Sequence, residues 1–134
     1  MYEFEFTIPE LPQTTNSHGR VHWAIKVKLA KYWKTTVLLA VGNKKPKFPL
    51  TKAKLTLTRH SSNAPDADGL VSSFKHVVDG LTIAAVIKDD SMKVIGFPIY
   101  LWNKCPRGQG KITVKIEELE NEQDLRYLPL SPEK

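Results

Sequence analysis

This chain is short of cysteine, of any long apolar run and, over a large part of its length, of acid. Cys105 is the single cysteine among 134 residues. That excludes an intrachain disulfide framework and leads us to expect a reducing, cytoplasmic compartment. No apolar stretch approaches the ~20 residues that a membrane-spanning helix requires, so no membrane partner is expected. The opening Met1-Tyr2-Glu3-Phe4-Glu5-Phe6 alternates apolar and acidic residues and lacks the basic start and apolar core of a signal peptide. None of the seven glycines falls in a phosphate-loop or nucleophile-elbow pattern. His18, His22, His60 and His76 are scattered and have no cysteine partners, which argues against zinc and leaves them to phosphate contact or packing.

The missing acid is the most informative absence. Residues 11–65 carry eleven Lys or Arg and neither Asp nor Glu, whereas five of the six aspartates crowd into residues 66–90, where there is no glutamate. The formal charge of +6 therefore hides a basic half and an acidic remainder. A basic surface of this kind favours polyanions and salt-sensitive binding, so nucleic acid is the first partner to consider. A solvated lysine surface is the plainer alternative.

Length and a 41% hydrophobic content suit one domain with a modest core. Tyr2, Phe4, Phe6 and Ile8 alternate with polar residues, as in a half-buried strand that Pro9 and Pro12 end. A polar loop with Asn16, Ser17 and His18 follows. The spacing predicts a helix from about His22 to Val41, with one apolar series at Ile25, Leu29, Tyr32, Trp33, Thr36 and Ala40. A second runs through Trp23, Val27, Ala30, Val37 and Val41. Either one broad core face or two covered faces would explain the pair. Gly42-Asn43 marks the helix stop.

A second strand is expected over Lys52–Arg59, with Ala53, Leu55 and Leu57 on one side and Lys52, Lys54, Thr56 and Thr58 on the other. Leu70, Phe74, Val77, Val78, Leu81 and Ala85 predict a second helix with Asp68 at its N-terminus. Strand three is expected over Met92–Trp102, with Pro98 kinking it or confining it to an edge. Strand four is expected over Lys111–Glu117. The fold class is thus α+β, a four-stranded mixed sheet with two helices in the order β-α-β-α-β-β. The domain runs over residues 1–118, and residues 119–134 form an acidic, proline-containing tail expected to be frayed.

The chemistry lies in the acidic window. Asp66 and Asp68, two apart in an extended segment, can present carboxylates to one point. A third ligand is expected from Asp89 or Asp90, Asp90 being favoured. Hard cations such as Mg²⁺, with Mn²⁺ as a substitute, take such oxygen donors together with water and phosphate. Lys75 lies two helical turns beyond Asp68, and Asp79 follows it by one turn and can orient it. Each feature also has a plainer reading. Asp68 is a good helix cap, Asp89-Asp90 a good turn, and Lys75 with Asp79 an ordinary surface ion pair. Their joint occurrence beside the basic half favours a metal site.

The string Asp66-Ala67-Asp68, Lys75, Asp79-Gly80-Leu81 and Ile87-Lys88-Asp89-Asp90-Ser91 resembles the RusA family of Holliday-junction resolvases. Leu11-Pro12 with Asn16, and His22-Trp23-Ala24, resemble the family's opening. The resemblance implies a homodimeric, Mg²⁺-dependent endodeoxyribonuclease on four-way DNA junctions. It places the metal-binding aspartates at Asp66, Asp68 and Asp90 and the catalytic lysine at Lys75; Asp79 and Asp89 are expected beside them as supporting residues. Lys28, Lys31, Lys34, Lys44, Lys45, Lys47, Lys52, Lys54 and Arg59 are the expected phosphate contacts.

Overall fold

The computed structural model of the chain describes residues 1–13 and 23–120. The expectations for Asn16, Ser17, His18 and His22, and for the tail beyond Glu120, lie outside the described residues. Within them the elements are β1 Glu3–Ile8, α1 Trp23–Val41, β2 Ala53–Ser61, α2 Ala67–Ser73, α3 Lys75–Ile83, the single turn α4 Met92–Ile95, β3 Ile99–Lys104 and β4 Lys111–Glu118.

The α+β class and the four-stranded mixed sheet are as expected. The strands lie in the order β1-β4-β2-β3, antiparallel except for the parallel pair β2 and β3. The register places Leu57 opposite Val114 and Leu55 opposite Ile116, and β1 sets Phe6 opposite Val114 and Ile8 opposite Ile112. Cross-strand partners share a face, so period-two alternation gathers Phe6, Ile8, Ala53, Leu55, Leu57, Ile112, Val114 and Ile116 on one side, all buried. Glu3, Glu5, Lys54, Thr56, His60, Thr113 and Lys115 fall on the other.

Helices α1 and α3 complete the core with Trp33, Val37 and Val41 from the first and Val77, Val78 and Leu81 from the second. Burying a side chain of this size contributes about 1.5–3 kcal/mol. The two helices meet at Gly80, where an added Cβ would stand 2.8 Å from the Val37 Cβ. Only glycine permits that approach. Gly42, with φ 55°, closes α1 in the left-handed conformation as its sequence suggests.

The buried stripe of α1, Trp33-Val37-Val41, draws on both apolar series and exhausts neither. Ile25 and Tyr32 of the first remain exposed, as do Trp23 and Val27 of the second.

Three further expectations are corrected. Among the described residues there are three helices and a helical turn where two helices were expected, because the second helix breaks at Phe74. Ser72 and Ser73 donate their hydroxyls to the Gly69 and Leu70 carbonyls, three residues back. Such bonds compete with the helical ladder. Phe74 leaves helical geometry at φ −96°, ψ 1° and buries its ring 6.0 Å from that of Tyr100.

Strand three starts at Ile99, not Met92. Ser91 O accepts from the Val94 and Ile95 amides at 3.0 Å, winding α4, and Gly96 at φ 60° ends it. Extended structure begins only after Pro98, which leads into an edge strand. Finally, β2 runs on to Ser61, beyond its expected end at Arg59.

Candidate functional site

Five of the expected site residues line one or other of two clefts. Arg59, at the C-terminal end of β2, shares the parity of Ala53, Leu55 and Leu57 and so points to the core side of the sheet. With Leu11 and the loop Ser61, Ser62, Asn63, Ala64, Pro65 and Asp66 it lines a cleft of about 360 Å³. A second cleft, of about 340 Å³, is lined by Ser72, Lys75, Asp79 and Asp90 among the apolar side chains of Val71, Val78, Met92, Ile95, Phe97, Pro98 and Tyr100.

Asp66 caps α2, its Oδ1 accepting the Gly69 amide at 2.7 Å from an extended backbone. Capping by a carboxylate contributes about 1 kcal/mol. The sequence suggested Asp68 for this position. The helix instead begins at Ala67, so Asp68 stands in its first turn, exposed and one turn ahead of Ser72.

Lys75 opens α3. Its Nζ lies 3.9 Å from Asp79 Oδ2, the expected pairing four residues on, with the lysine side chain 69% exposed. A parallel bridge of Leu50 to Ile87 sets the position of Asp89 and Asp90. Leu50 N donates to Val86 O and Lys88 N to Leu50 O, each at 2.9 Å. Asp89 then accepts the Ser91 amide at 2.9 Å. Hydrogen bonds from Ser91 hold the Asp89 carboxyl below its usual range, with Lys88 adding a smaller pull. Asp89 is therefore a turn-former, and Asp90 is the one of the pair that reaches the cleft with Lys75.

No three of the His, Cys, Asp and Glu side chains come together as a metal-holding group among the described residues. Asp66 belongs to the first cleft and Asp90 to the second, and Asp68 lines neither.

The basic residues lie on several surfaces. Lys28 and Lys31 are exposed on α1 and Lys34 is half-buried there; Lys44, Lys45 and Lys47 are exposed in the connection to β2. Lys52 donates to the Lys93 carbonyl at 2.9 Å. Lys54 faces away from the helices on the polar side of the sheet. His60 lies on that side too, bonded to the Thr113 hydroxyl at 3.2 Å, and partial burial together with Lys111 lowers its pKa.

Arg59 differs from all of these. It is only 8% exposed, one guanidinium nitrogen donates to Pro12 O at 2.7 Å, and Nε is buried with no acceptor. Burial lowers the pKa of its guanidinium, which nonetheless stays charged. Sequence reasoning placed Arg59 among surface phosphate contacts. The parity of β2 was the signal that it belonged on the core face.

Phe97, Pro98 and Tyr100, which wall the second cleft, were not anticipated as site residues. They lay inside what reads as a continuous strand.

A third concavity, of about 520 Å³, runs along α1 between Val27, Ala30, Lys31, Lys34, Thr35 and Leu38 and ends on Ile83. No described helix is long and apolar enough to cross a membrane. No family model matches the chain, and no curated protein matches it.

Proposed function

We propose that the protein is a divalent-metal-dependent endonuclease of the cytoplasm that nicks branched DNA, four-way junctions above all, as a RusA-like homodimer. One observation carries the reading. Lys75 and Asp90, fifteen residues apart in sequence, line the same cleft, and Asp68 lies in the first turn of the helix that contributes Ser72 to it. The cleft thus holds two of the four residues that the resemblance marks as catalytic.

Asp66 and Asp68, both exposed at the start of α2, fit the modest demand of Mg²⁺, which needs one or two carboxylates when substrate phosphate and water supply the rest. A closed set of three carboxylates within one protomer is not what the described residues offer. When bound, the ion supplies Lewis acidity and a more acidic water. The chain's own part is clearer. Lys75, steered by Asp79, presents a mobile positive charge where negative charge builds on the phosphate during displacement. Exposed lysines on α1 and in the loop after it hold the DNA without reading its bases. The apolar groove of Val27, Leu38 and Ile83 supports self-association through α1.

A synthetic four-way junction, a fork, a flap and a plain duplex, each with and without Mg²⁺ or Mn²⁺, test the proposal. The expected result is metal-dependent nicking, fastest on the junction, lost in Asp68→Asn and about 100-fold slower in Lys75→Met. Preferential cutting of the fork or flap would keep the chemistry and change the substrate.

A second reading, a DNA-binding protein without catalysis, is favoured by the capping duty of Asp66 and the turn duty of Asp89. Equal behaviour of wild type and Asp68→Asn on the junction would establish it.

A further inference from the structure

We propose that Arg59 and the loop that follows it form a receptor for one phosphodiester group of a nucleic-acid strand. That the anion is a phosphodiester rests on the nuclease reading above; that the pocket takes a tetrahedral anion does not.

The argument starts from an imbalance of charge. Arg59 is more than nine-tenths buried, yet it takes part in neither of the ion pairs found among the described residues, Lys75 with Asp79 and Lys115 with Glu3. A neutral carbonyl, that of Pro12, is its hydrogen-bonded partner, and Nε has none among the described residues. A guanidinium this far buried, with no ion-pair partner among the described residues, is unfavourable, and an anion arriving from solvent relieves it. The planar fork of arginine suits phosphate oxygens, which it can engage two at a time.

The surroundings are built to leave that space open. Leu11 packs so closely on Gly110 that a Cβ there would collide with it, fixing one wall. The Ser61 hydroxyl accepts from Trp102 Nε1 at 2.9 Å and donates to the Asn63 carbonyl at 2.8 Å, so it shapes the loop and is not free to bind. Ser62 and Asn63 line the cleft with polar groups beside the guanidinium. Asp66 lines the same cleft, and its carboxylate disfavours a phosphate beside it. A strand anchored here would have its backbone beside Asp66, next to the residues assigned to catalysis.

NMR of the arginine Nε–Hε groups and backbone amides of the full chain, in metal-free chloride buffer, tests this. Two probes are added separately: inorganic phosphate, and the thymidine dinucleotide TpT, which carries one phosphodiester. Both are expected to shift Arg59 Hε and the amides of Ser62 and Asn63 saturably. Arg59→Met abolishes the response, and Arg59→Lys, which keeps the charge and loses the fork, weakens binding about tenfold. If the spectrum of Arg59→Met shows that it has not folded, Arg59→Lys alone decides.

Absence of a saturable shift in the wild type, or its persistence in Arg59→Met, overturns the pocket. A response to phosphate but not to TpT overturns the phosphodiester assignment. Because no metal or junction is involved, the failures separate. An Arg59 response without nicking removes the nuclease and leaves the receptor, and Mg²⁺-dependent nicking without an Arg59 response does the reverse.

Discussion

Arg59 and Lys75 are both cations at the edge of a cleft that also holds an aspartate, and the chain treats them in opposite ways. Lys75 is 69% exposed, paired with Asp79 at 3.9 Å and free to sample other positions. Arg59 is 8% exposed, fixed to a backbone carbonyl and paired with no carboxylate among the described residues. Water already solvates the lysine, so its pairing changes little and its position needs no special cause. The arginine has given up most of its water without a counter-ion among the described residues, which is unfavourable. A mobile cation suits charge that appears transiently, and a fixed one suits charge that is always present on a strand.

The largest disturbance to this contrast comes from Phe74. Its ring, wholly buried against Tyr100, holds the junction of α2, which begins beside the first cleft, with α3, which carries Lys75. Phe74→Ala is expected to lower unfolding free energy by about 3–5 kcal/mol in urea titration. A loss under about 1 kcal/mol would show that the two clefts are not tied through the core.

Arg59→Met addresses the contrast itself. It removes an uncompensated charge and leaves the Pro12 carbonyl without its donor, a cost of about 1–3 kcal/mol. The relief from desolvation is larger, so in phosphate-free buffer the variant should be more stable by about 1–2 kcal/mol. Added phosphate should raise the wild-type melting temperature and leave the variant's unchanged. Destabilisation of Arg59→Met by several kcal/mol would mean that the guanidinium is already compensated.

The sequence showed some of this arrangement and not the rest, for identifiable reasons. Strict alternation in Tyr2–Ile8 and Lys111–Glu117 made β1 and β4 legible, and Gly42 marked the end of α1. The spacing of Lys75 and Asp79 revealed their pairing. The break at Phe74 was hidden because an apolar residue there fits helical periodicity equally well. It arises from serine hydroxyls and tertiary burial, which periodicity does not encode. The start of β3 was hidden by local chemistry, because Asp89 and Ser91 wind a turn over residues that alternate well enough for a strand. Parity put Arg59 on the core face. Its lack of a counter-ion depends on which side chains the fold brings near, and no local pattern carries that.

A stabilised background would sharpen every comparison above. Ala85 has φ 63° at the end of α3, where the Val86 amide donates to Leu81 O and the Ala85 amide to Thr82 O, closing a helix in the manner that favours glycine. The left-handed conformation costs a residue with a Cβ about 1–2 kcal/mol. Ala85→Gly should therefore gain about 1 kcal/mol net of glycine's extra chain entropy. Ala85 lines neither cleft, so phosphate response and nicking should be unchanged in this variant. A gain in stability accompanied by lost nicking would show that the α3 terminus reaches the site.

Asp79→Asn should have the smallest effect on stability, and its smallness is the point. The pair it breaks spans one helical turn with lysine first, the weaker order, and solvent screens most of the attraction. A change within about 0.5 kcal/mol is expected in urea titration, shrinking further at high salt. If Lys75 works by moving to developing charge, the same substitution should alter nicking far more than it alters folding, because it releases the ammonium from its tether without removing it. A stability loss near 2 kcal/mol would place Lys75 and Asp79 in a shielded environment. The two cations would then differ in degree of burial alone, and the division of labour between a fixed anchor and a mobile charge would lose its physical basis.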